Sequence, residues 1–132
     1  MLPGRNRNGN CGVGIRPTTR LAIYLRDGFI CVWCGRDLHR SDPFGITLDH
    51  LVPHDLGGSN SPSNLVTACR SCNCRRGSAN WRGWAGNSRV IKRVERLILV
   101  PLPRELARMI LWDAIGLNEG VARVRGEGRF GA

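Results

Sequence analysis

The stretch from residue 49 to residue 77 concentrates the side chains that could bind a metal ion or move a proton. Asp49, His50, His54 and Asn73 lie in it, together with three cysteines. Each of these groups costs free energy to bury unless a partner compensates it, so a stretch selected only for packing rarely collects so many. The pattern therefore indicates a site that carries out chemistry.

Two C-x-x-C pairs, one before this stretch and one inside it, predict a metal site made of four thiolates. The ligands would be Cys31, Cys34, Cys69 and Cys72. Such a pair holds two thiolates roughly 3.5–4 Å apart, which suits tetrahedral Zn²⁺ with Zn–S bonds of about 2.3 Å. Disulfides or free thiols are the alternatives. Cys11 and Cys74 belong to no pair, and we expect Cys74 to pack as a small apolar side chain.

The second cysteine pair ends a longer pattern, D-H-x-x-P-x-x-x-G-G, then an asparagine, then C-x-x-C-N. Its fixed positions are Asp49, His50, Pro53, Gly57, Gly58, Asn64, Cys69, Cys72 and Asn73. With this pattern the chain resembles the HNH endonucleases, in particular those whose ββα-metal motif is braced by a four-cysteine zinc site. The resemblance extends from about Thr18 to Gly77. The three positions that name the family fall on His50, Asn64 and Asn73, the last being asparagine where many members have histidine.

This resemblance implies an α+β fold with a small ββα core, a structural zinc ion, an N-terminal helix and C-terminal helices. It also implies metal-dependent hydrolysis of DNA, as nicking or double-strand cutting, that leaves 5′-phosphate and 3′-hydroxyl ends. His50 would be the general base, since an unperturbed histidine with a pKa of about 6.5 is largely neutral at pH 7. Asn64 would brace the loop that orients His50.

The expected catalytic ion is Mg²⁺ or Mn²⁺, held by the Asp49 carboxylate and the Asn73 amide oxygen. A hard cation prefers oxygen ligands and keeps several waters, so one or two protein groups suffice. Asn73 in place of histidine preserves a metal-ligating side chain, which leaves the choice of metal open.

The charge of the chain predicts DNA as the partner. The formal net charge is +10 at pH 7, and Lys92 is the one lysine among 20 basic residues. Guanidinium groups suit phosphate through their bidentate fork, although an arginine bias can equally reflect the base composition of a genome. The candidate contacts to DNA are Arg70, Arg75, Arg76, Arg82 and His54.

A second interpretation is a zinc-braced module that binds nucleic acid without cleaving it. The basic charge and the four cysteines alone would allow this. A carboxylate such as Asp49 inside a phosphate-binding surface repels its ligand unless a cation intervenes, which favours the enzyme.

The sequence predicts four parts: a flexible basic arm over residues 1–16, the nuclease domain over 17–80, a connector and helices over 81–115, and a flexible tail over 116–132. No apolar run approaches the roughly 20 residues that cross a bilayer, so no membrane partner is expected. The amino terminus lacks the apolar region of a secretory signal, and the cysteine spacing suits a reducing compartment. We therefore expect the cytoplasm of a bacterial or phage-infected cell, with the oligomeric state left open.

Overall fold

A computed structural model gives the backbone of residues 14–124 and the side chains of residues 14–114. In chain order the elements are α1 (Pro17–Arg26), β1 (Ile46–His50), β2 (Leu65–Cys69), α2 (Arg70–Arg76), α3 (Trp81–Ala85), α4 (Ser88–Leu97) and α5 (Arg104–Val124). Most of the predicted basic arm, Cys11 and the last eight residues of the predicted tail lie outside the described part.

The centre of the fold is a two-stranded antiparallel sheet followed directly by a helix. β1 pairs with β2 so that Ile46 lies opposite Cys69 and His50 opposite Leu65. The Cys69 thiol, at the end of β2, accepts a hydrogen bond from the Cys72 N–H and so caps the first turn of α2. The predicted ββα unit and the α+β fold class are confirmed.

The alternation of side chains along β1 separates two environments. Leu48 points into an apolar cluster with Ile23 and Tyr24 of α1 and with Leu65 of β2. Thr47 and Asp49 lie on the opposite face of the strand and form hydrogen bonds with side chains of α2. Because successive side chains of a strand point to opposite faces, β1 buries apolar groups on the α1 side and presents polar groups to α2.

A buried ion pair joins α1 to the rest of the core. The Arg26 and Asp27 side chains are fully buried and bond to each other, with Arg26 Nε 2.7 Å from Asp27 Oδ1. Arg26 also donates to the backbone carbonyls of Pro62 and Leu65, and Asp27 accepts from the backbone N–H of Thr67. Burying these charges is tolerable because each has several partners.

The structure differs from the sequence-based expectation in two places. The connector expected at the start of residues 81–115 contains α3, because the Asn80 side chain accepts from two backbone N–H groups at its start. α5 continues to Val124 rather than ending near residue 115. The glycines in this part do not end the helix, because each destabilises it by only about 1 kcal/mol relative to alanine.

Within the described residues, no helix combines the length and the apolar character needed to cross a bilayer.

Candidate functional site

The four predicted zinc ligands come together at the end of the sheet where Ile46 pairs with Cys69. Their sulfur atoms all lie within 4.8 Å of one another, and the Cys34 and Cys69 sulfurs are 3.9 Å apart. Four sulfurs around one zinc ion at about 2.3 Å are separated by about 3.8 Å, so the donor set fits that ion. The five described cysteines form no disulfide. The cluster is therefore able to bind zinc.

The thiols influence one another's protonation. Burial raises the pKa of Cys31 and, together with the negative charge on Cys31, that of Cys72. Burial also opposes ionisation of Cys69, but hydrogen bonds from the Cys72 backbone and from neighbouring thiols outweigh it and lower the pKa of Cys69. A divalent cation favours the thiolate form of all four groups, because it offsets both burial and mutual repulsion.

Asp49 is buried between β1 and α2 and is held by two side chains. Arg76 contacts both carboxylate oxygens, with Nη2 2.7 Å from Oδ1 and Nε 3.0 Å from Oδ2. The indole N–H of Trp33 donates to Oδ2 at 2.9 Å. These contacts occupy three of the roughly four lone-pair positions of the carboxylate.

Arg76 lies in the core, which corrects the expectation that its guanidinium faces DNA. Only 2% of the residue is exposed. Besides Asp49, it donates to the backbone carbonyls of His50 and Ala79, and its Cζ atom lies 5.7 Å from the centre of the Trp33 ring. The guanidinium is thus committed to holding α2 against the end of β1.

His50 lies at the end of β1 with a defined ring orientation. The residue is 8% exposed, and its Nε2 atom is 2.7 Å from the amide oxygen of Asn60. An amide oxygen only accepts, so Nε2 carries a hydrogen, and a neutral His50 ring then has its lone pair on Nδ1. The His54 ring stands edge-on to His50 with the ring centres 6.2 Å apart. Sequence reasoning missed Asn60, because an asparagine in a Gly/Ser/Pro-rich loop has the composition of any turn.

Asn64 closes the loop between the two strands. Its side chain donates to the carbonyls of Val52 and Ser59 and accepts from the Val52 N–H at 2.8 Å. At Gly58 a Cβ atom would lie 1.7 Å from the Val52 carbonyl oxygen, so only glycine allows this approach. The closed loop holds Asn60 beside His50.

Asn73 projects from α2 toward β1. Its amide nitrogen donates to the Thr47 hydroxyl at 2.9 Å and to the Leu48 carbonyl at 3.2 Å. Its amide oxygen accepts no hydrogen bond from any residue of the described part. The side chain is therefore anchored through nitrogen and has an oxygen available for a cation.

The other predicted DNA contacts are exposed but do not share one environment. Arg75 lies 3.6 Å from the Cys72 sulfur, and Arg82 pairs with Glu95 while stacking on the Trp81 ring at 4.4 Å. Arg70 is at the zinc end of the sheet, whereas His54 is at the His50 end. Cys74 is exposed, so the expectation that it packs in the core is wrong; it also lies outside the four-thiol cluster.

Residues 31–79, from the first cysteine of the cluster to the turn after α2, match the family model described as HNH endonuclease. This segment is an HNH endonuclease domain. It contains all four thiols, both strands of the sheet and α2. Comparisons with curated proteins and with solved structures gave no match. The resemblance seen in the sequence is confirmed for this HNH domain.

We expect about one zinc ion per chain in protein purified without a chelator. Cys69→Ala should lose that metal and unfold, because a structural site supplies folding free energy to a small core. Metal analysis by mass spectrometry and circular dichroism would measure both effects. Cys74→Ala, which removes an exposed thiol outside the cluster, is the matched control and should keep its zinc. A metal-free wild type that is folded would contradict the prediction.

Proposed function

We propose that this chain is a metal-dependent DNA endonuclease whose HNH domain hydrolyses phosphodiester bonds to 5′-phosphate and 3′-hydroxyl ends. The observation that carries the proposal is the contact between His50 Nε2 and the Asn60 amide oxygen, which in a neutral ring places the lone pair on Nδ1 at the end of β1. A general base needs such a fixed lone pair and a pKa near the working pH. The match of residues 31–79 to the HNH endonuclease family supports this role.

In this mechanism His50 Nδ1 accepts the proton of the water that attacks phosphorus. Asn60 is a positioning residue, because it touches the base and not the substrate. Asn64 maintains the loop on which Asn60 lies, through its bonds to Val52 and Ser59. The chain thereby supplies a base whose orientation and tautomer are set before DNA binds, which reduces the reorganisation required during the reaction.

Asn73 and Asp49 are the proposed ligands of the catalytic Mg²⁺ or Mn²⁺. Asn73 fits through its available amide oxygen, and Asp49 through the lone pair that Arg76 and Trp33 leave over. When bound, such an ion neutralises charge on the phosphate and stabilises the departing oxygen. The buried Arg76 holds Asp49 in place through both carboxylate oxygens, so the carboxylate needs no reorientation to act as a ligand.

DNA is the proposed substrate because the chain carries a net charge of +10. A strongly basic protein gains affinity for a polyanion by releasing counterions. The exposed Arg70, Arg75 and Arg82 and the ring of His54 are the proposed contacts from the HNH domain and the helix that follows it.

His50→Ala should lower the cleavage rate by at least about 10²-fold, the usual effect of removing a general base. DNA affinity should stay within about twofold of wild type, since the phosphate contacts lie on other residues. Single-turnover cleavage of supercoiled plasmid and anisotropy of a labelled duplex without added Mg²⁺ or Mn²⁺ measure the two quantities. A His50→Ala protein as active as wild type would remove His50 from the mechanism.

Asn60→Ala should reduce kcat at least about tenfold with little change in KM, because a ring free to adopt the other tautomer presents no lone pair at Nδ1. Nitrogen NMR shifts of the His50 ring should report hydrogen on Nε2 in wild type and a mixture of tautomers in the variant. Asn60→Asp keeps an acceptor oxygen at the same length and should restore the wild-type tautomer. If Asn60→Ala lowers stability alone and leaves the tautomer unchanged, Asn60 has no positioning role.

Asn73→Ala should cut more slowly, with part of the loss recovered at higher metal concentration. Asn73→His should stay active and shift its preference from Mg²⁺ toward Mn²⁺, Co²⁺ or Ni²⁺, because imidazole suits those ions better than an amide oxygen does. Cleavage rates against metal identity and concentration compare the three proteins. Superimposable metal profiles would instead make Asn73 only an anchor between α2 and the Thr47 and Leu48 positions of β1.

A further inference from the structure

A cleft of about 320 Å³ lies at the end of the sheet remote from His50. It is bounded by the segment between the first cysteine pair and β1 and by the start of α2. The polar side chains that line it are Arg36, Asp37, Arg40, Ser41, Arg70 and Ser71. Three arginines therefore border one concave surface. Two of them, Arg36 and Arg40, were not among the DNA contacts predicted from the sequence.

The three arginines of this cleft differ from most other arginines of the described chain. None of their side chains forms an ion pair or hydrogen bond with a residue in the described part. In contrast, Arg26, Arg76 and Arg82 are each paired with a carboxylate. Arginines that line one cleft and form no hydrogen bond or ion pair there are suited to bind an anion, since each guanidinium offers a planar set of N–H donors.

The one carboxylate of the cleft does not cancel this charge. Hydrogen bonds from the backbone and the ring of His39 lower the pKa of Asp37, which keeps it ionised and turned to His39, with Nδ1 2.6 Å from Oδ1. Three guanidinium groups against one carboxylate leave a net charge of about +2, which favours a ligand with more than one negative charge.

The backbone beneath the cleft is held in place. Leu38 is buried beside Cys31 and Cys69, and the Arg70 N–H donates to the Gly45 carbonyl at 3.0 Å. The Cys31 N–H donates to the Arg36 carbonyl at 2.9 Å. The three arginines are therefore attached to backbone that packs against the thiol cluster. Their position around the cleft follows from this fixed backbone.

The position of the cleft relative to His50 follows from the register of the sheet. Ile46 pairs with Cys69 at the cleft end, and His50 pairs with Leu65 at the other. Four residues of a strand span about 13 Å. One DNA strand rises about 3.4 Å per phosphate, so this distance corresponds to about four nucleotides along the axis.

We propose that the cleft of Arg36, Arg40 and Arg70 binds backbone phosphates of the DNA at the end of the sheet remote from His50, and so sets where the duplex lies on the HNH domain. The DNA partner in this inference rests on the proposed function.

The test compares Arg36→Gln/Arg40→Gln with Lys92→Gln/Arg96→Gln, since both double variants remove two positive charges. Lys92 and Arg96 are exposed on α4 and have no partner in the described chain. Arg70 is left intact because it adjoins Cys69. Anisotropy with a labelled duplex, at a series of salt concentrations and without added Mg²⁺ or Mn²⁺, gives log K against log salt without cleavage. Zinc content and circular dichroism confirm that each variant is folded.

The cleft variant should show a slope smaller in magnitude by about 1 to 2, because each lost phosphate contact removes about 0.9. In cleavage assays its KM should rise while the rate at saturating DNA stays near that of wild type. The α4 variant should change the slope by less than half as much. Equal slopes for wild type and the cleft variant, or equal losses in both variants, would overturn the inference.

Failure of the cleft inference and failure of the endonuclease proposal give different results. If the wild type cuts no DNA but the slope falls only in the cleft variant, the phosphate site stands and the catalytic proposal fails. If cleavage depends on His50 but the cleft variant binds as wild type does, the catalytic proposal stands and the cleft inference fails.

Discussion

The Arg76 guanidinium is a positive charge buried in the HNH domain, and such a charge needs hydrogen-bond acceptors held in fixed positions around it. It bonds to both oxygens of Asp49 and to the carbonyls of His50 and Ala79, so a single side chain of α2 fixes the end of β1 and the turn beyond the helix. Removing one partner of such a buried pair generally costs about 3–5 kcal/mol. The backbone of His50 is therefore positioned by the same interaction that positions the Asp49 carboxylate.

α2 depends on this interaction because the helix has only seven residues. Isolated helices of that length are unstable in water, so both ends need tertiary contacts. The cysteine cluster holds the first turn through the Cys69 cap, and Arg76 holds the last turn. Asn73 lies between the two and is aligned with Thr47 and Leu48 of β1. α2 thus links the cysteine cluster at one end of the sheet to Asp49 and His50 at the other, with Asn73 between them.

The sequence predicted the parts of this arrangement whose determinants are local. The C-x-x-C spacing predicted the cluster, and the motif that the chain shares with the HNH endonucleases predicted the ββα unit. Arg76 was predicted to contact DNA, because the sequence could not show that it meets Asp49 across the fold. Asn60 was missed because its role comes from loop closure by Asn64, a contact that composition does not encode. α3 was missed because a single Asn80 cap, within a glycine-rich stretch, determined its start.

The most direct test is cleavage of supercoiled plasmid by zinc-loaded protein, with added Mg²⁺ or Mn²⁺ and without either ion. Nicked or linear product should form only when one of these ions is added, with ends that DNA ligase can rejoin because they carry 5′-phosphate and 3′-hydroxyl groups. DNA binding should persist without added Mg²⁺ or Mn²⁺. A folded, zinc-loaded protein that binds DNA but cuts it with neither ion would contradict the account and leave a zinc-braced module that binds nucleic acid without cleaving it.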